Sequence, residues 1–532
     1  MDQLSQLYQE RKFEEALNLL KKMTQQFPEV LHIHLISGKI NYDLGRYRNA
    51  IKSYNVLIKL VPDHAEAYNL IGLSLKKLLV YNAAIASCKK AIEIQPDYAE
   101  AYSNLGNIFV DIKRIKEGIR CFRNAIRLKP NLLTAIFNLG VTLSEENQYE
   151  HSISNFKKAI ELNPIHVESL YNLGNDLNKM GRLFDAASTY QKVISLRPNN
   201  HEFYNNLGIV LNDLGRHDDA FLAFKNVIRL KPNYTKVYNN LGNSLRNMGR
   251  YDDAQISFKK AITLRPRYIN AYKNLGLIFQ ILDFNQYALK SFTQALTINP
   301  HLGSARHMVS ALKGDTTKAP PKDFVRGLFD DYAAKFDKHL VQNLGYKTPI
   351  LLRQLHDRYS PNFISYDKVI DLGCGTGLSG DKFFDISNKM IGIDLSSKMI
   401  EKAKEKNIYY DLITGDLVEK LIALEASSCN VNLFICTDVL VYIGDCSELF
   451  SAIQKLSNTE TIFVFSTENK EGDGYMLLSS GRYAHSYQYI SDLLTKNGYE
   501  IIAHEKTVLR KDKTGPVHGD IFMAKHNLSR HL

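Results

Sequence analysis

Nine prolines, Pro28, Pro62, Pro96, Pro130, Pro164, Pro198, Pro232, Pro266 and Pro300, stand 34 residues apart without a slip. Gly38, Gly72, Gly106, Gly140, Gly174, Gly208, Gly242 and Gly276 keep the same period. Few architectures tolerate such regularity. Each unit has room for two short helices and a turn, none can bury its apolar face alone, and stacking neighbours into an α solenoid supplies the core. The glycine after leucine in the first helix of a unit lets the second helix approach closely. Ala16, Ala50, Ala84, Ala186, Ala220, Ala254 and Ala288 keep the facing side small. Gly45, Gly181, Gly215 and Gly249, with Asn147 and Asp283 at equivalent places, mark where the first helix stops in a left-handed conformation. Tyr54, Phe122, Phe156, Tyr190, Phe224, Phe258 and Phe292 fill the core, and the prolines end the second helix. Eight full units over 31–302, a truncated one before them and a capping helix near 303–313 make residues 1–313 the expected solenoid.

The period and the Ala-Tyr-x-Asn-Leu-Gly signature, as in Ala101-Tyr102-Ser103-Asn104-Leu105-Gly106, resemble tetratricopeptide (TPR) repeats. In such solenoids the first helix lines the concave face. Asn104, Asn138, Asn172, Asn206, Asn240 and Asn274 recur there, two residues before each glycine. A row of amides can hydrogen-bond the backbone of an extended peptide whatever its sequence. The superhelical repeats of the O-GlcNAc transferase, which this stretch resembles, carry the same ladder. Asparagine is also common at this position whatever such repeats bind, so both readings stand.

Charge is uneven along the chain. Residues 1–319 hold 42 Lys and Arg against 28 Asp and Glu, a balance of +14, and the remainder balances at −3. A solvated basic surface explains this, as does attraction to an acidic protein or peptide; no nucleic-acid motif accompanies the charge, which disfavours that partner. No uninterrupted apolar run of about 18 residues exists to span a membrane. The first residues, Met1-Asp2-Gln3-Leu4-Ser5, lack the regions of a secretory signal. Six cysteines form no Cys-x-x-Cys pair, so neither a zinc cluster nor a disulfide framework is suggested. The expected location is cytoplasmic, unless a specialised secretion system exports the protein.

Helical periodicity ends at Gly314-Asp315-Thr316-Thr317-Lys318-Ala319-Pro320-Pro321, which predicts a linker over 314–322 and a second domain over 323–532. There, Val369-Ile370-Asp371-Leu372 reads as a buried strand running into glycines 373, 375 and 377 and then a helix. A second strand, Met390 to Ile393, ends in Asp394, seventeen residues after Gly377. A carboxylate at that place suits a ribose's hydroxyls. Glycines can simply punctuate a loop, but strand, acid, glycine loop, helix, strand and second acid in one unit point to a nucleoside cofactor. Gly373, Gly375 and Gly380 do not have the spacing of a dinucleotide fingerprint, and Asp371 would repel a pyrophosphate. That acid suits a cofactor bearing a cationic amine.

Asp371-Leu372-Gly373-Cys374-Gly375-Thr376-Gly377, followed by Gly392-Ile393-Asp394-Leu395-Ser396-Ser397-Lys398-Met399, resembles class I S-adenosylmethionine methyltransferases. The resemblance implies an α/β doubly wound, Rossmann-like domain. It makes Asp371, Gly373, Cys374, Gly375, Thr376, Gly377, Asp394 and Leu395 the expected cofactor contacts. Together with the sequence from Ala305 through Leu328 and His339 to the C-terminus, it extends to predicted methyltransferases carrying amino-terminal TPR repeats, for which no acceptor follows. In such enzymes a helix before the first strand often closes over the cofactor. Phe324, Leu328, Tyr332 and Phe336 form one helical face, so Tyr332 is either core or a cofactor contact. The third strand, Asp411 to Asp416, would place Asp416 at the adenine's exocyclic amine and Leu417 along the ring.

A fourth strand over Cys429–Cys436 leads into Thr437-Asp438-Val439-Leu440-Val441-Tyr442. Ligands bind beyond the carboxyl ends of such strands, so Asp438 and Tyr442 are candidates to face the sulfonium and the acceptor, although Asp438 also suits a helix cap. After a fifth strand, Thr461 to Thr467, a flexible acidic loop is expected from Glu468 to Gly474. A polar run, Ser480–Ser486, then precedes a helix from Tyr489 to Lys496. Within that run His485 is a candidate general base and Arg482 a candidate clamp for a substrate carboxylate, unless both belong to a surface loop. Two last strands, Glu500–Arg510 and Asp520–Lys525, would form a hairpin across Thr514-Gly515-Pro516. No metal is indicated. Two functions remain: a methyltransferase whose repeats recruit a substrate, and an interaction scaffold with a catalytically inactive cofactor-binding domain.

Overall fold

The computed structural model describes residues 4, 6–7, 10–333, 336–337, 340–341, 344–360, 365–426, 430–512 and 515–527. Cys429, the expected start of strand four, Thr514 of the expected turn, His339 and two residues of the segment 329–337 lie outside the described residues. Contacts fall into two compact units, Met1–Val237 and Tyr238–Leu532.

The first unit is built of helix pairs in strict 34-residue phase. First helices begin at 31, 65, 99, 133, 167 and 201, and second helices at 13, 47, 81, 115, 149, 183 and 217. The glycine has a steric cause. A Cβ on Gly106, Gly140, Gly174 or Gly208 would stand 2.5–2.8 Å from a ring carbon of Phe122, Phe156, Tyr190 or Phe224. Each aromatic therefore plugs the glycine of its own repeat as well as filling the core. At Gly72 the sulfur of Cys88 takes the ring's place, 2.5 Å away. The stop after the first helix is left-handed at Gly45, Asn147, Gly181 and Gly215, as expected, and also at Leu79 (φ 61°) and Lys113 (φ 64°), where nothing in the residue type announces it.

In the second unit the helix-pair pattern continues through Tyr251–Leu264, Ile269–Ile281 and Asn285–Ile298, and ends in α1 (Gly303–Lys313), closed by Gly314 at φ 79°. After α2 (Lys322–Tyr332) and α3 (Thr348–Tyr359), strands and helices alternate: β1 (Tyr366–Leu372), α4 (Gly380–Phe383), β2 (Ser387–Asp394), α5 (Ser397–Glu405), β3 (Asp411–Thr414), α6 (Leu417–Glu425), β4 (Val431–Cys436), α7 (Ser447–Lys455) and β5 (Ser457–Asn469). The chain closes with β6 (Tyr475–Leu477), β7 (Tyr483–His485), α8 (Tyr487–Lys496), β8 (Tyr499–Asp512) and β9 (Gly515–His526).

Strands β3, β2, β1, β4 and β5 lie side by side and parallel, with β9 antiparallel on β5 and β8 outside it. Unbroken apolar runs such as Leu433–Cys436 and Ile462–Phe465 suit strands buried on both faces. One face packs Phe463, Phe465 and Phe522 against Phe450 and the helices α7 and α8; the other packs Val369, Leu433, Val464 and Met523 against Leu352 and Leu355 of α3. The chain is thus an α solenoid of TPR type followed by a doubly wound, Rossmann-like α/β domain.

Two expectations change in detail. The acidic loop shrinks, because Glu468 and Asn469 belong to β5, and the polar run is a strand: β6 and β7 form a hairpin whose second strand pairs parallel to the end of β5. Burial of Tyr483, Ala484 and His485 explains why a polar-looking stretch is ordered. The predicted linker is also held. Thr317 Oγ1 and Tyr483 Oη share a hydrogen bond of 2.6 Å, the Lys318 carbonyl accepts from Asp445 N–H at 2.7 Å, and Thr316 Oγ1 accepts from Leu477 N–H.

Candidate cofactor and acceptor site

Gly373, Gly375 and Gly377 all have positive φ, at 64°, 54° and 87°, so the turn between β1 and α4 needs glycine for its backbone alone. Asp394, at the end of β2, holds this turn from beside it. Its Oδ2 accepts from Gly375 N–H at 2.9 Å and its Oδ1 from Ser396 N–H at 2.8 Å. Burial raises its pKa, and those two amides pull the other way. Each carboxylate oxygen keeps a second lone pair, which is what a ribose hydroxyl needs. Leu395 follows, half-buried, while Cys374 is buried and anchored by its amide to the Ile393 carbonyl. Burial pushes the Cys374 thiol far up, which makes it packing and not a nucleophile.

Asp371 is buried beneath the turn. Its Oδ2 accepts from Tyr409 Oη at 2.7 Å, its Oδ1 has no hydrogen-bond partner among the described residues, and burial pushes its pKa up to about 7. Asp416 caps α6, accepting from Glu419 N–H at 3.2 Å, and pairs with Lys322 Nζ at 3.1 Å. Leu417 packs partly into the core beside it.

The segment before β1 does close over the turn. Ser396 Oγ donates to Asp330 at 2.5 Å, Thr376 Oγ1 donates to Asp337, and Lys406 reaches Asp337 at 3.4 Å. A Cβ on Gly375 would lie 3.7 Å from the Phe336 ring. Phe329 meets Tyr442 edge-on at 5.1 Å between ring centroids, and Tyr332 meets Phe336 at 5.3 Å. Tyr332 is only half-buried, and its pKa rises through burial and then through Tyr442. It therefore stands in the aromatic lid beside Tyr442.

At the carboxyl ends of β4 and β5 stands a chain of charges that the sequence reading missed in part. Asp438, left-handed at φ 56°, pairs through Oδ2 with Arg510 Nη1 at 2.5 Å, and its amide donates to Ser466 Oγ at 2.9 Å. Arg510 Nη2 also contacts Glu468, and Arg482 Nε lies 2.9 Å from the same carboxylate. Burial works against the Arg510 charge, yet Asp438 and Glu468 outweigh it and hold its pKa up. Burial raises Glu468 in spite of the two arginines. Asp438 thus neither caps a helix nor stands alone. Glu468 carried a faint signal, a charge at the end of an apolar strand; Arg510 had only its place inside strand β8.

His485 is not at this site. It is fully buried in β7, its Nε2–H donates to the Ile443 and Gly444 carbonyls at 2.9 and 3.1 Å, and its Nδ1 has no partner among the described residues. Burial lowers its pKa to about 4. A neutral ring turned into the core does not serve as a general base, which corrects the expectation.

The asparagine row is partly engaged within the repeats. Asn104 donates to Asn69 Oδ1 at 2.9 Å, Asn206 to Tyr171 Oη and Asn175 Oδ1 at 3.0 and 3.2 Å, Asn274 to Asn239 and Asn243, and Asn172 to its own helix at the Glu168 carbonyl. Asn138 is half-buried, and Asn240 also has an interaction partner. Asn172 and Asn206 line a cavity of about 350 Å³ with Ser144, Asn175, Lys179 and Tyr190. No helix among the described residues is long and apolar enough to cross a membrane.

Comparison with known proteins places these features. Residues 365–480 match the family described as a methyltransferase domain, and tetratricopeptide repeat families match 38–78, 81–112, 99–132, 133–166, 171–235 and 235–268. The 18S rRNA (guanine-N(7))-methyltransferase of Bos taurus is 45% identical over 49 residues, 9% of this chain and 17% of that protein. The ubiquinone biosynthesis O-methyltransferase of Haemophilus ducreyi is 26% identical over 170 residues, 30% of this chain and 68% of that protein. Among solved structures, YrrB, a TPR protein with an unusual peptide-binding site, is 23% identical with a TM-score of 0.33, over 35% of this chain and 95% of that one. The chain carries N-terminal TPR repeats and a class I S-adenosylmethionine methyltransferase domain.

Proposed function

We propose that the protein is a working S-adenosylmethionine-dependent methyltransferase whose repeats hold a protein or extended peptide, as substrate or as partner. The observation that carries the reading is the turn at 373–377: three left-handed glycines clear the backbone, Asp394 fixes it and keeps lone pairs for a ribose, and a lid lies over it. This donor set fits S-adenosylmethionine. Asp394 would hold the ribose, Asp416 and Leu417 the adenine, and the buried charge of Asp371 would favour the cationic end. When bound, the cofactor supplies a methyl group already activated by its sulfonium. The protein's part is then alignment and exclusion of water, for which Phe329, Tyr332, Phe336 and Tyr442 form the wall. Arg482 and the pair Asp438–Arg510 would orient the acceptor.

Two observations favour an inactive cofactor-binding scaffold instead: His485 is buried, and Asp438 is tied to Arg510. An acceptor that needs a base would have to bring its own. Calorimetric titration of the full chain with S-adenosylmethionine, followed by an activity screen against proteins captured on the repeats, separates the readings. Binding with turnover supports the enzyme, binding without turnover supports the scaffold, and no binding defeats both. Replacing Asn104, Asn138, Asn172 and Asn206 by alanine tests the groove; an unchanged set of captured proteins would refute a role for the ladder. The basic repeats suit an acidic partner. Five described cysteines that are free and buried suit the reducing cytoplasm, where we place the protein.

A further inference from the structure

We propose that Tyr409, just before β3, is the positioning residue of the cofactor turn, shaping its backbone through the ring and governing the charge of Asp371 through the hydroxyl. The inference rests on the S-adenosylmethionine reading of that turn.

Three glycines that chain order separates meet at this one side chain. A Cβ on Gly380 would stand 2.3 Å from Tyr409 Oη, one on Gly392 would stand 3.0 Å from Tyr409 Cε1, and one on Gly377 would stand 3.1 Å from Tyr409 Cε2. The ring therefore fills the hollow between the turn, α4 and β2, and any larger residue at those places would push it out. The hydroxyl at the end of the ring donates to Asp371 Oδ2 at 2.7 Å. The carboxyl it holds is buried and has an oxygen without a partner. Among the described residues Tyr409 is the side-chain donor to Asp371, and the Gly380 backbone also acts on this carboxyl.

The surroundings leave that carboxyl poised. Its pKa stands raised to about 7, with burial the largest cause and Asp394 across the turn adding to it, while the hydrogen bond from Tyr409 and, less, one from the Gly380 backbone pull it down. Cys374, Cys436, Tyr346 and Tyr409, the other titratable groups around it, are all pushed upward by burial and stay neutral. A ligand with net positive charge over the turn stabilises the ionised carboxyl. By linkage, the ionised carboxyl strengthens binding of that ligand to the same extent. Tyr409 sets the pH at which this happens, because a hydrogen bond to the charged form favours that form.

The test is calorimetric titration of the full chain with S-adenosylmethionine between pH 5.5 and 8.5, in buffers of different ionisation enthalpy. The chain should bind more tightly as pH rises through about 7, by roughly tenfold, and should release protons on binding. Tyr409→Phe keeps the ring in its hollow and removes the hydrogen bond. Its midpoint should move up by about one pH unit, the worth of a hydrogen bond to a charged group. Asp371→Asn removes the titration, and its profile gives the reference for the ligand's own amine, which titrates near 8. The Asp371→Asn profile also protects against a folding artefact, since loss of fold would abolish binding at every pH and not move a midpoint. A wild-type chain that binds with the same profile as Asp371→Asn, or a Tyr409→Phe midpoint that does not move, overturns the inference while leaving the cofactor reading intact. Failure of the wild-type chain to bind at any pH overturns both.

Discussion

Removing Arg510 should leave two buried carboxylates facing each other, and the result can be worked from the geometry. The guanidinium contacts Asp438 at 2.5 Å and Glu468 on its other side, with the Arg510 and Glu468 side chains 5% exposed and that of Asp438 15%. At the effective dielectric of such a place each contact is worth ~4 kcal/mol of attraction, which desolvation of the ions largely offsets. Taking away one partner keeps the desolvation and loses the attraction. Arg510→Met should therefore cost about 3–5 kcal/mol. Glu468 lies in β5 between β7 and β9, so native-state hydrogen exchange of β5 and β9 is the direct assay. Their protection should fall roughly 10²- to 10⁴-fold, each tenfold being ~1.4 kcal/mol.

The loss must also depend on pH, in a definite direction. The Glu468 pKa is already raised by burial and would climb further with Arg482 alone beside it. An acid whose folded pKa exceeds its unfolded value reduces stability as pH rises from the unfolded pKa to the folded one. The deficit should be small near pH 4 and complete at neutral pH and above. Arg510→Met combined with Glu468→Gln should recover part of the loss, as expected for neighbours. A deficit that is equal at pH 4 and pH 8, or below about 1 kcal/mol at neutral pH, would refute the claim that these charges are buried and mutually compensated.

Other consequences follow from single side chains. His485, with its pKa lowered to about 4, stays neutral in the fold while the unfolded chain takes up a proton, so stability should fall by about 3 kcal/mol as pH drops from 6.5 to 4. His485→Gln should flatten that slope in hydrogen exchange of β7. Leu79→Gly replaces an exposed, left-handed leucine and should stabilise the first unit by about 0.5–1 kcal/mol, read from exchange of helices Ala65–Lys77 and Tyr81–Ile94. Asp394→Asn puts an amide group where one of two backbone N–H donors now bonds, and S-adenosylmethionine affinity by calorimetry should fall about tenfold.

Legibility in the sequence followed the kind of constraint involved. The 34-residue period placed the helix starts because each repeat repeats one steric problem, a ring against a glycine, and the answer shows in residue type. The turn at 373–377 was legible for the same reason: φ near +60° selects glycine. The left-handed stops at Leu79 and Lys113 were not, since there the stacked neighbours impose a conformation that the side chain does not request. Tyr409, Glu468 and Arg510 were hidden for another reason. Each acts through a residue far away in the chain, Asp371, Arg482 or Asp438, and pairwise contacts across a sheet leave no local pattern. His485 was misread because polarity suggested exposure, whereas two backbone carbonyls accept its Nε2–H inside the core.

The same distinction applies to the segment between the repeats and the α/β domain. Loss of helical periodicity after Lys313 suggested a tether, but periodicity says nothing about the hydrogen bonds a segment makes. His307 of α1 meets the Gly481 carbonyl at 2.9 Å, Gln280 donates to the Ser479 carbonyl at 2.6 Å, and residues 316–318 bond to β6, β7 and Asp445. These contacts hold the hairpin that carries Arg482 toward Glu468 and Arg510. A fragment cut at residue 320 would lose each of them and present Leu477 and Tyr483 to water, although its cofactor turn stays whole. On the proposed reading the two roles would have different structural boundaries within one unit: cofactor binding would need the strands and the segment packed over the turn, and the place of Arg482 would also depend on the last repeat.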